Sequence, residues 1–366
     1  MTPTTDPGWA GKQVLVTGNS GFVGSWLSMV LTALGAVVQG YSDNAEPSSA
    51  LRARWLRDAG VETVRADVRD FDRLSAVMAA TDFDLVVHLA AQPLVGAGYR
   101  DPRLTFDTNV GGTVNLLEAV RLARPRALIS VTSDKVYRNR SWPRPYRETD
   151  ELGGGCPYSV SKAAAEIVFE GYADLYAAEP DGARAASVRL GNVVGGGDYA
   201  DRLVPNCLRA FDGAEPVILH DRAAARPWQH VLDVCQGLVL LAEGLLRGRV
   251  PGGQHFNFAP PFQGATTWEL ASSLATAWGH GAVVSEVEKP RDCPEERMLF
   301  LDGHKAAAAL DWRHRFDLAA TAEAAVAWQR AVAAGTSPRV ATQDQIDAFS
   351  FGSSAAAAVR PEAVRG

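Results

Sequence analysis

Tyr158 and Lys162 stand four residues apart in the run Pro157-Tyr158-Ser159-Val160-Ser161-Lys162. If residues 158 to about 176 are helical, the two share a face one turn apart. An ammonium beside a phenol favours the phenolate and lowers its pKa, which makes the tyrosine a base able to take a proton from an alcohol near neutral pH. The same spacing also occurs where the tyrosine is packing and the lysine a solvated charge, so the pair needs company. A second set stands upstream in Thr132-Ser133-Asp134-Lys135-Val136-Tyr137, where a hydroxyl, a carboxylic acid and an amine follow an apolar run. Alone, Asp134-Lys135 reads equally as a surface pair on a polar loop.

An alternation of strands and helices would bring these groups together. Short apolar, β-branched runs at 12–17, 36–41, 61–66, 84–90 and 127–131 are separated by helical stretches, the first at 22–34. Near-continuous apolar strands between amphipathic helices indicate a parallel sheet covered on both faces, a doubly wound α/β fold of the Rossmann type. In such a sheet the ligand crevice lies outside the carboxyl ends of the strands, where 132–137 falls. A sixth strand at 186–190 is followed by the glycine-rich loop Gly191-Asn192-Val193-Val194-Gly195-Gly196-Gly197-Asp198. Beyond it, helices at 203–211, 231–247 and 267–278 and strands at 217–220, 254–259 and 282–288 predict a smaller mixed lobe. The expected division is 9–190 for the large domain and 191–335 for an interleaved substrate lobe. From about 335 the chain turns Ala-, Ser- and polar-rich, and a poorly ordered tail over 336–366 is expected.

Gly18-Asn19-Ser20-Gly21-Phe22-Val23-Gly24 follows the first strand and opens the first helix as G-x-x-G-x-x-G. Its glycines allow a tight turn and close approach of a pyrophosphate, which the helix N-terminus stabilises. Gly18, Ser20, Gly21, Phe22 and Gly24 are therefore candidate dinucleotide contacts. An acidic residue about twenty positions on should meet the adenosine ribose. Asp43 is near that place, and no arginine follows it directly, which favours NAD over NADP. Asp67-Val68 closes the third strand, where Asp67 either reaches the adenine or caps the helix before Phe71. His88, a structural residue on this reading, leads into Leu89, Ala90, Ala91 and Gln92, past which a flat cofactor would run. Asn109 reads as a satisfied helix amide or as part of the site's scaffold.

The bulk properties narrow the class. The 366 residues are 47% hydrophobic and 21% charged with net charge −6, which leaves no basic footprint for nucleic acid or an anionic membrane. Cysteines at 156, 207, 235 and 293 form no CxxC pair, so neither a disulfide framework nor a metal site is indicated, and a reducing cytoplasm is. No apolar run approaches the ~20 residues of a membrane span.

With these motifs in view, the chain resembles the extended short-chain dehydrogenase/reductase family, and within it the CDP-glucose 4,6-dehydratases. The matching stretches include TG-x-x-GF-x-GSWLS from Thr17, HLAAQPLV from His88, DP-x-x-TF-x-TNV-x-GT from Asp101, VTSDKVY from Val131, PYS-x-SK from Pro157, GNVVGGGDY-x-x-DRL-x-P from Gly191 and RPWQHVL from Arg226. They span roughly residues 9 to 335. The resemblance implies an NAD-dependent lyase in which Tyr158 takes the proton of a sugar 4-hydroxyl while Lys162 lowers its pKa and binds the nicotinamide ribose. It further implies that Ser133 bonds the 4-oxygen, Lys135 removes the C5 proton and Asp134 protonates the departing 6-hydroxyl. Gln92, Asn192, Arg202, Arg226 and His230 would hold a nucleotide-diphosphate sugar. A homodimer through helices at 102–123 and 158–178 is implied as well. The alternatives are a 4-epimerase or other C4-oxidising relative, which needs no pair like Asp134-Lys135, and an idle NAD-binding protein. The chain departs from the family pattern at Gly96-Ala97, Trp142-Pro143-Arg144-Pro145 and 294–298, changes that bear on the nucleotide and sugar rather than on C4 oxidation.

Overall fold

The computed structural model describes residues 8–43, 47–261, 264–287 and 298–351. Six strands come first: β1 Gln13–Thr17, β2 Val37–Ser42, β3 Glu62–Arg65, β4 Leu85–His88, β5 Ala127–Ser133 and β6 Arg184–Leu190. A seventh, β7 at Gln254–Phe258, joins the same sheet in the order β7-β6-β5-β4-β1-β2-β3, every neighbour parallel. The order reverses between β1 and β4, so the loops after those two strands splay apart and open the crevice that such sheets use for ligands.

Period-two alternation assigns each strand residue to a face. Val14, Val16, Leu85, Val87, Ile129 and Val131 face one core; Leu15, Val86 and Leu128 face the other. The first core receives α1 Phe22–Ala33 and α2 Pro47–Asp58, the second α3 Phe71–Ala79. Two short helices, α4 Val95–Arg100 and α5 Pro102–Phe106, then lead through a π-helical turn at Asp107–Gly111 into α6 Gly112–Ala123. Helix α7, Pro157–Ala178, carries both predicted redox residues. It starts where it does because Cys156 accepts from Ser159 N at the N-cap and Pro157 occupies the first turn.

The rest of the chain divides between a small lobe and the large sheet, and departs from expectation at the tail. Helix α8 Leu203–Asp212 and α10 Thr267–Trp278 do build a separate core around Leu208, Leu219 and Leu270. Between them α9, Val231–Leu246, and β7 return to the large sheet, so that part of the second half completes the first. After α11 His304–Leu310 and α12 Leu318–Ala333, the predicted tail contains a helix, α13 Pro338–Phe349. Ser337 caps it, and Ala341, Ile346 and Phe349 supply a buried face. Thr342 Oγ1 accepts from Trp328 Nε1 at 3.0 Å. The Ala-rich, polar composition hid that apolar spacing; residues 352–366 lie outside the described residues. No helix among the described residues is long and apolar enough to cross a membrane.

Candidate active site

The turn after β1 is built so tightly that only glycine fits. Gly18 has φ +69°, and a Cβ there would come within 2.6 Å of Ala90 N after β4. A Cβ on Gly24 would stand 2.2 Å from the Gly18 carbonyl, so α1 rests directly on its own loop. Gly21 caps α1 in extended conformation with no side-chain acceptor and no acidic residue in the first turn. The first N–H groups are thereby left for an anion, as a dinucleotide pyrophosphate requires. Around this cradle, Ser20 Oγ meets Ser42 Oγ at 2.6 Å, Phe22 is buried, and Asp43 lies exposed just past β2. The order β1 then α1, with Asp43 beyond β2, fits NAD.

Asp67 does not cap α3; Asp70 does, accepting from Arg73 N at 3.0 Å. The Asp67 carboxylate instead pairs with Arg69 at 2.6 Å, which holds it below the usual carboxylate range. Val68 is buried against Gly112. Leu89, Ala90 and Ala91 line the far wall, with Leu89 N bonded to Thr17 O at 3.0 Å. His88 is structural, as expected: its ring bridges Thr17 Oγ1 at 2.7 Å and Thr113 Oγ1 at 3.2 Å. Burial and the nearby Lys162 ammonium push its pKa down to about 3, which keeps it neutral. Asn109 sits in the π-turn, accepting from Gln92 N at 2.8 Å and donating to Ser161 Oγ at 2.9 Å, so it ties the β4 loop to α7. Gln92 differs from the expectation of a substrate contact. Its carboxamide is used within the loop, donating to Thr105 Oγ1 at 2.9 Å and accepting from Leu94 N at 2.6 Å.

The end of β5 and the start of α7 meet. Ser133 Oγ accepts from Lys135 N at 3.2 Å and so starts the single turn Asp134–Val136. It donates to Asp134 Oδ1 at 2.9 Å, and Lys135 Nζ stands 3.4 Å from the same oxygen. Asp134 is buried, and its Oδ2 has no hydrogen-bond partner among the described residues. A bare, buried carboxyl oxygen is costly unless something entering the site satisfies it. Ser133 is close enough to the Tyr158 phenol to lower its pKa against the effect of burial. A Cβ on Gly98 would come 3.2 Å from Tyr158 N, which accounts for the small residues of α4 against α7.

The electrostatics correct one expectation. Burial raises the Tyr158 pKa, and the opposing influences are the Ser133 hydroxyl, then the Lys135 and Arg202 charges, not Lys162. Lys162 is itself pushed down to about 8 by burial, with Glu166 acting the other way. One helical turn puts the two side chains on a common face, but in the free protein the phenol's nearest help comes from the β5 turn.

Of the expected substrate residues, Asn192 offers a buried Oδ1 with no partner among the described residues. Arg202 caps α8 beside Asp198 at 3.7 Å, and its charge reaches Tyr158. Arg226 is buried and donates to Ala225 O at 2.9 Å. His230 is wholly buried, and its Nε2 has no hydrogen-bond partner among the described residues. It is the N-cap of α9, accepting from Leu232 N at 3.2 Å, with its ring against Phe316 at 4.2 Å and Trp26 at 6.3 Å. Trp142 stacks on Tyr146 and lies under Arg144 at 4.2 Å; positions 294–297 lie outside the described residues.

Three buried residues went unread in the sequence. Glu166 was legible as the residue one turn after Lys162, and Arg189 as a charge inside the apolar strand RAASVRL. Arg52 donates to Ser20 O at 2.6 Å and Gly197 O at 3.1 Å, linking the two glycine loops. Nothing distinguishes it in sequence from its exposed neighbours Arg54 and Arg57.

Comparison with known proteins agrees with this geometry. The NAD dependent epimerase/dehydratase family matches residues 14–259. The CDP-glucose 4,6-dehydratase of Salmonella typhimurium is 38% identical over 349 residues, covering 93% of this chain and 97% of its own. The UDP-glucose 4-epimerase of Mycolicibacterium smegmatis is 30% identical over 317 residues, 84% of this chain and 95% of its own. Among solved structures, the dTDP-glucose 4,6-dehydratase of Streptomyces venezuelae with NAD and TYD bound superposes with a TM-score of 0.75 at 26% identity, over 90% of this chain and 100% of that one. The chain belongs to the NAD-dependent epimerase/dehydratase family, within the extended short-chain dehydrogenases/reductases to which its motifs pointed.

Proposed function

We propose that this protein is an NAD-dependent nucleotide-sugar 4,6-dehydratase, a hydro-lyase that converts CDP-glucose to CDP-4-keto-6-deoxyglucose. Gly18 to Gly24 and Leu89 to Ala91 would hold NAD, which would supply a hydride acceptor for C4 and a donor for C6. Tyr158 takes the 4-hydroxyl proton, and Ser133 bonds the same oxygen. Lys162 holds the ribose through its ammonium. The ketone formed at C4 acidifies C5, where Lys135 removes the proton while Asp134 protonates the leaving 6-hydroxyl. Asn192, Arg202 and Arg226 receive the nucleotide diphosphate, for which an arginine's charge-assisted bonds are suited. In this assignment residues 9–190 serve the cofactor and 191–335 the nucleotide sugar, with α9 and β7 given back to the sheet. Free thiols at Cys156, Cys207 and Cys235 suit a reducing cytoplasm.

The observation that carries the reading is the buried Asp134, paired with Lys135 and bare at Oδ2. Oxidation at C4 alone needs no such pair. Incubation with CDP-, dTDP-, UDP- and GDP-glucose and NAD tests it. A product lighter by one water, formed from CDP-glucose in preference to the others, is expected. A C4 isomer of unchanged mass would make the protein an epimerase, and no turnover with any sugar a binding protein.

A homodimer is part of the proposal. Val160, Ile167 and Leu175 stand exposed along one side of α7, at a spacing of seven and eight residues, with exposed Leu104 and Leu122 on the adjoining α5 and α6. An apolar helical stripe of this kind seeks a partner. Ile167→Glu is expected to shift the protein from dimer to monomer in sedimentation velocity; a variant that sediments like the wild type would remove this face from consideration.

A further inference from the structure

Tyr158 and Lys162 ride on α7, whereas Asp134 and Lys135 ride on the turn after β5, so something must fix the distance between the two pairs. Beneath both lies Glu166, 1% exposed, one turn past Lys162. Its Oε1 accepts from Thr132 Oγ1. Its Oε2 accepts from Ser187 Oγ and Arg189 Nε, each at 2.9 Å, and lies 3.2 Å from His255 Nδ1. Arg189 Nη2 closes an ion pair with the same oxygen at 2.8 Å. Arg189 Nη1 donates onward to Tyr137 Oη at 2.8 Å and Glu148 O at 3.0 Å, and Tyr137 Oη donates to Asn257 Oδ1 at 2.6 Å. Thr132 is two residues before Asp134, and Tyr137 two after Lys135. One ion pair therefore grips both ends of the turn and, through α7, sits under Lys162.

Fold stability is a poor reason for such a pair. Desolvating two charges costs about what their attraction returns, and apolar replacements of buried pairs are often neutral or stabilising. Resting on the dehydratase reading above, we propose that Glu166 and Arg189 are positioning residues that set the geometry between the oxidation pair and the elimination pair. Glu166 acts on Lys162 and Thr132, and Arg189 on Tyr137. The charged and titratable groups involved are Lys162 on α7, neutral His88 facing it from β4, and Arg189 and His255 facing Glu166 from β6 and β7. Glu166 stays ionised, its pKa held down to about 2 by its hydrogen bonds and Arg189 against the effect of burial.

The two arms separate experimentally. Tyr137→Phe removes one hydroxyl and leaves the ring stacked on Tyr146. In single turnovers of the holoenzyme with the nucleotide sugar it is expected to form reduced cofactor at the wild-type rate, with decay slowed about 10- to 100-fold by a displaced elimination pair. Arg189→Lys, which keeps the charge but loses the fork, carries the same expectation if Tyr137→Phe does not fold. Glu166→Gln keeps the shape of the carboxylate's bonds and loses its charge. It is expected to slow formation instead, about tenfold. In the cofactor-free variant the pH midpoint for labelling Lys162 with a small amine reagent, read by mass spectrometry, should fall by about one unit below the wild type. Equal slowing of formation and decay, an unmoved Lys162 midpoint or unchanged kinetics would overturn the positioning role. A wild-type enzyme that forms no reduced cofactor with any nucleotide sugar would instead overturn the dehydratase reading.

Discussion

Lys135→Ala is expected to reduce release of a 4-keto-6-deoxy sugar by about 100- to 10,000-fold, the range typical of a lost general acid or base. Binding of NAD should be unaffected, because Lys135 stands at the end of β5 and not on the glycine turn. The geometry says why the effect is so large. Lys135 Nζ and Asp134 Oδ1 are 3.4 Å apart, and Asp134 is almost wholly enclosed. Moving one proton across that gap turns an ion pair into a neutral amine and a carboxylic acid, the two forms needed to take a proton from C5 and give one to the 6-oxygen. Removing either partner therefore removes both functions. Asp134→Asn should match Lys135→Ala to within a few fold, and the double variant should be little worse than either single one. Mass spectrometry of the product in deuterated water is the measurement. Full turnover in Lys135→Ala would show that another group takes the C5 proton.

The second large effect lies at the oxidation pair. Tyr158→Phe is expected to slow C4 oxidation by about 100- to 10,000-fold while a nucleotide sugar still binds. Its pH behaviour follows from the two groups' environments. Burial raises the Tyr158 pKa, so the phenolate fraction increases with pH. Burial lowers Lys162 to about 8, so its ammonium is lost as pH rises through that value. Activity should therefore climb up to about pH 8 and level off above it, where the gain in phenolate is offset by the loss of ammonium. Affinity for NAD, measured without substrate, should weaken over that same alkaline step in the wild type and show no such step in Lys162→Met. A wild-type affinity that is flat from pH 7 to 9 would mean that Lys162 is not the ribose contact.

Much of the site was legible because its chemistry is local in sequence. Gly18 to Gly24, Asp134-Lys135 and Tyr158 to Lys162 are each contiguous, and the strand ends that carry them follow from apolar runs. What was not legible depends on partners far along the chain. Gln92 and His230 are polar residues beside the right motifs, yet Thr105 and Leu94 claim the one and the N-terminus of α9 a ring nitrogen of the other. Spacing fixed Tyr158 and Lys162 on one face but not which charge governs the phenol, since that depends on the depth of burial and on Lys135. Asp67 lost its helix-capping alternative to Asp70, three residues on and better placed for the first turn of α3. The helix α13 was hidden because its buried face is small and its partner Trp328 lies on another element.

That last helix bears on how the protein is made. α13 packs on α1 and α2, and Trp328 of the preceding helix fills the space beside Gly196. β7 likewise joins β6 only after a long excursion through α8 and α9. At ribosomal speeds of about 5–20 residues per second, the apolar back of α1 stays uncovered for tens of seconds after it is synthesised. The glycine turn is thus made long before the helices that lock it. Ribosome-stalled chains ending before residue 338 should remain sensitive to protease within α1 and α2, and acquire protection only when 338–349 has emerged.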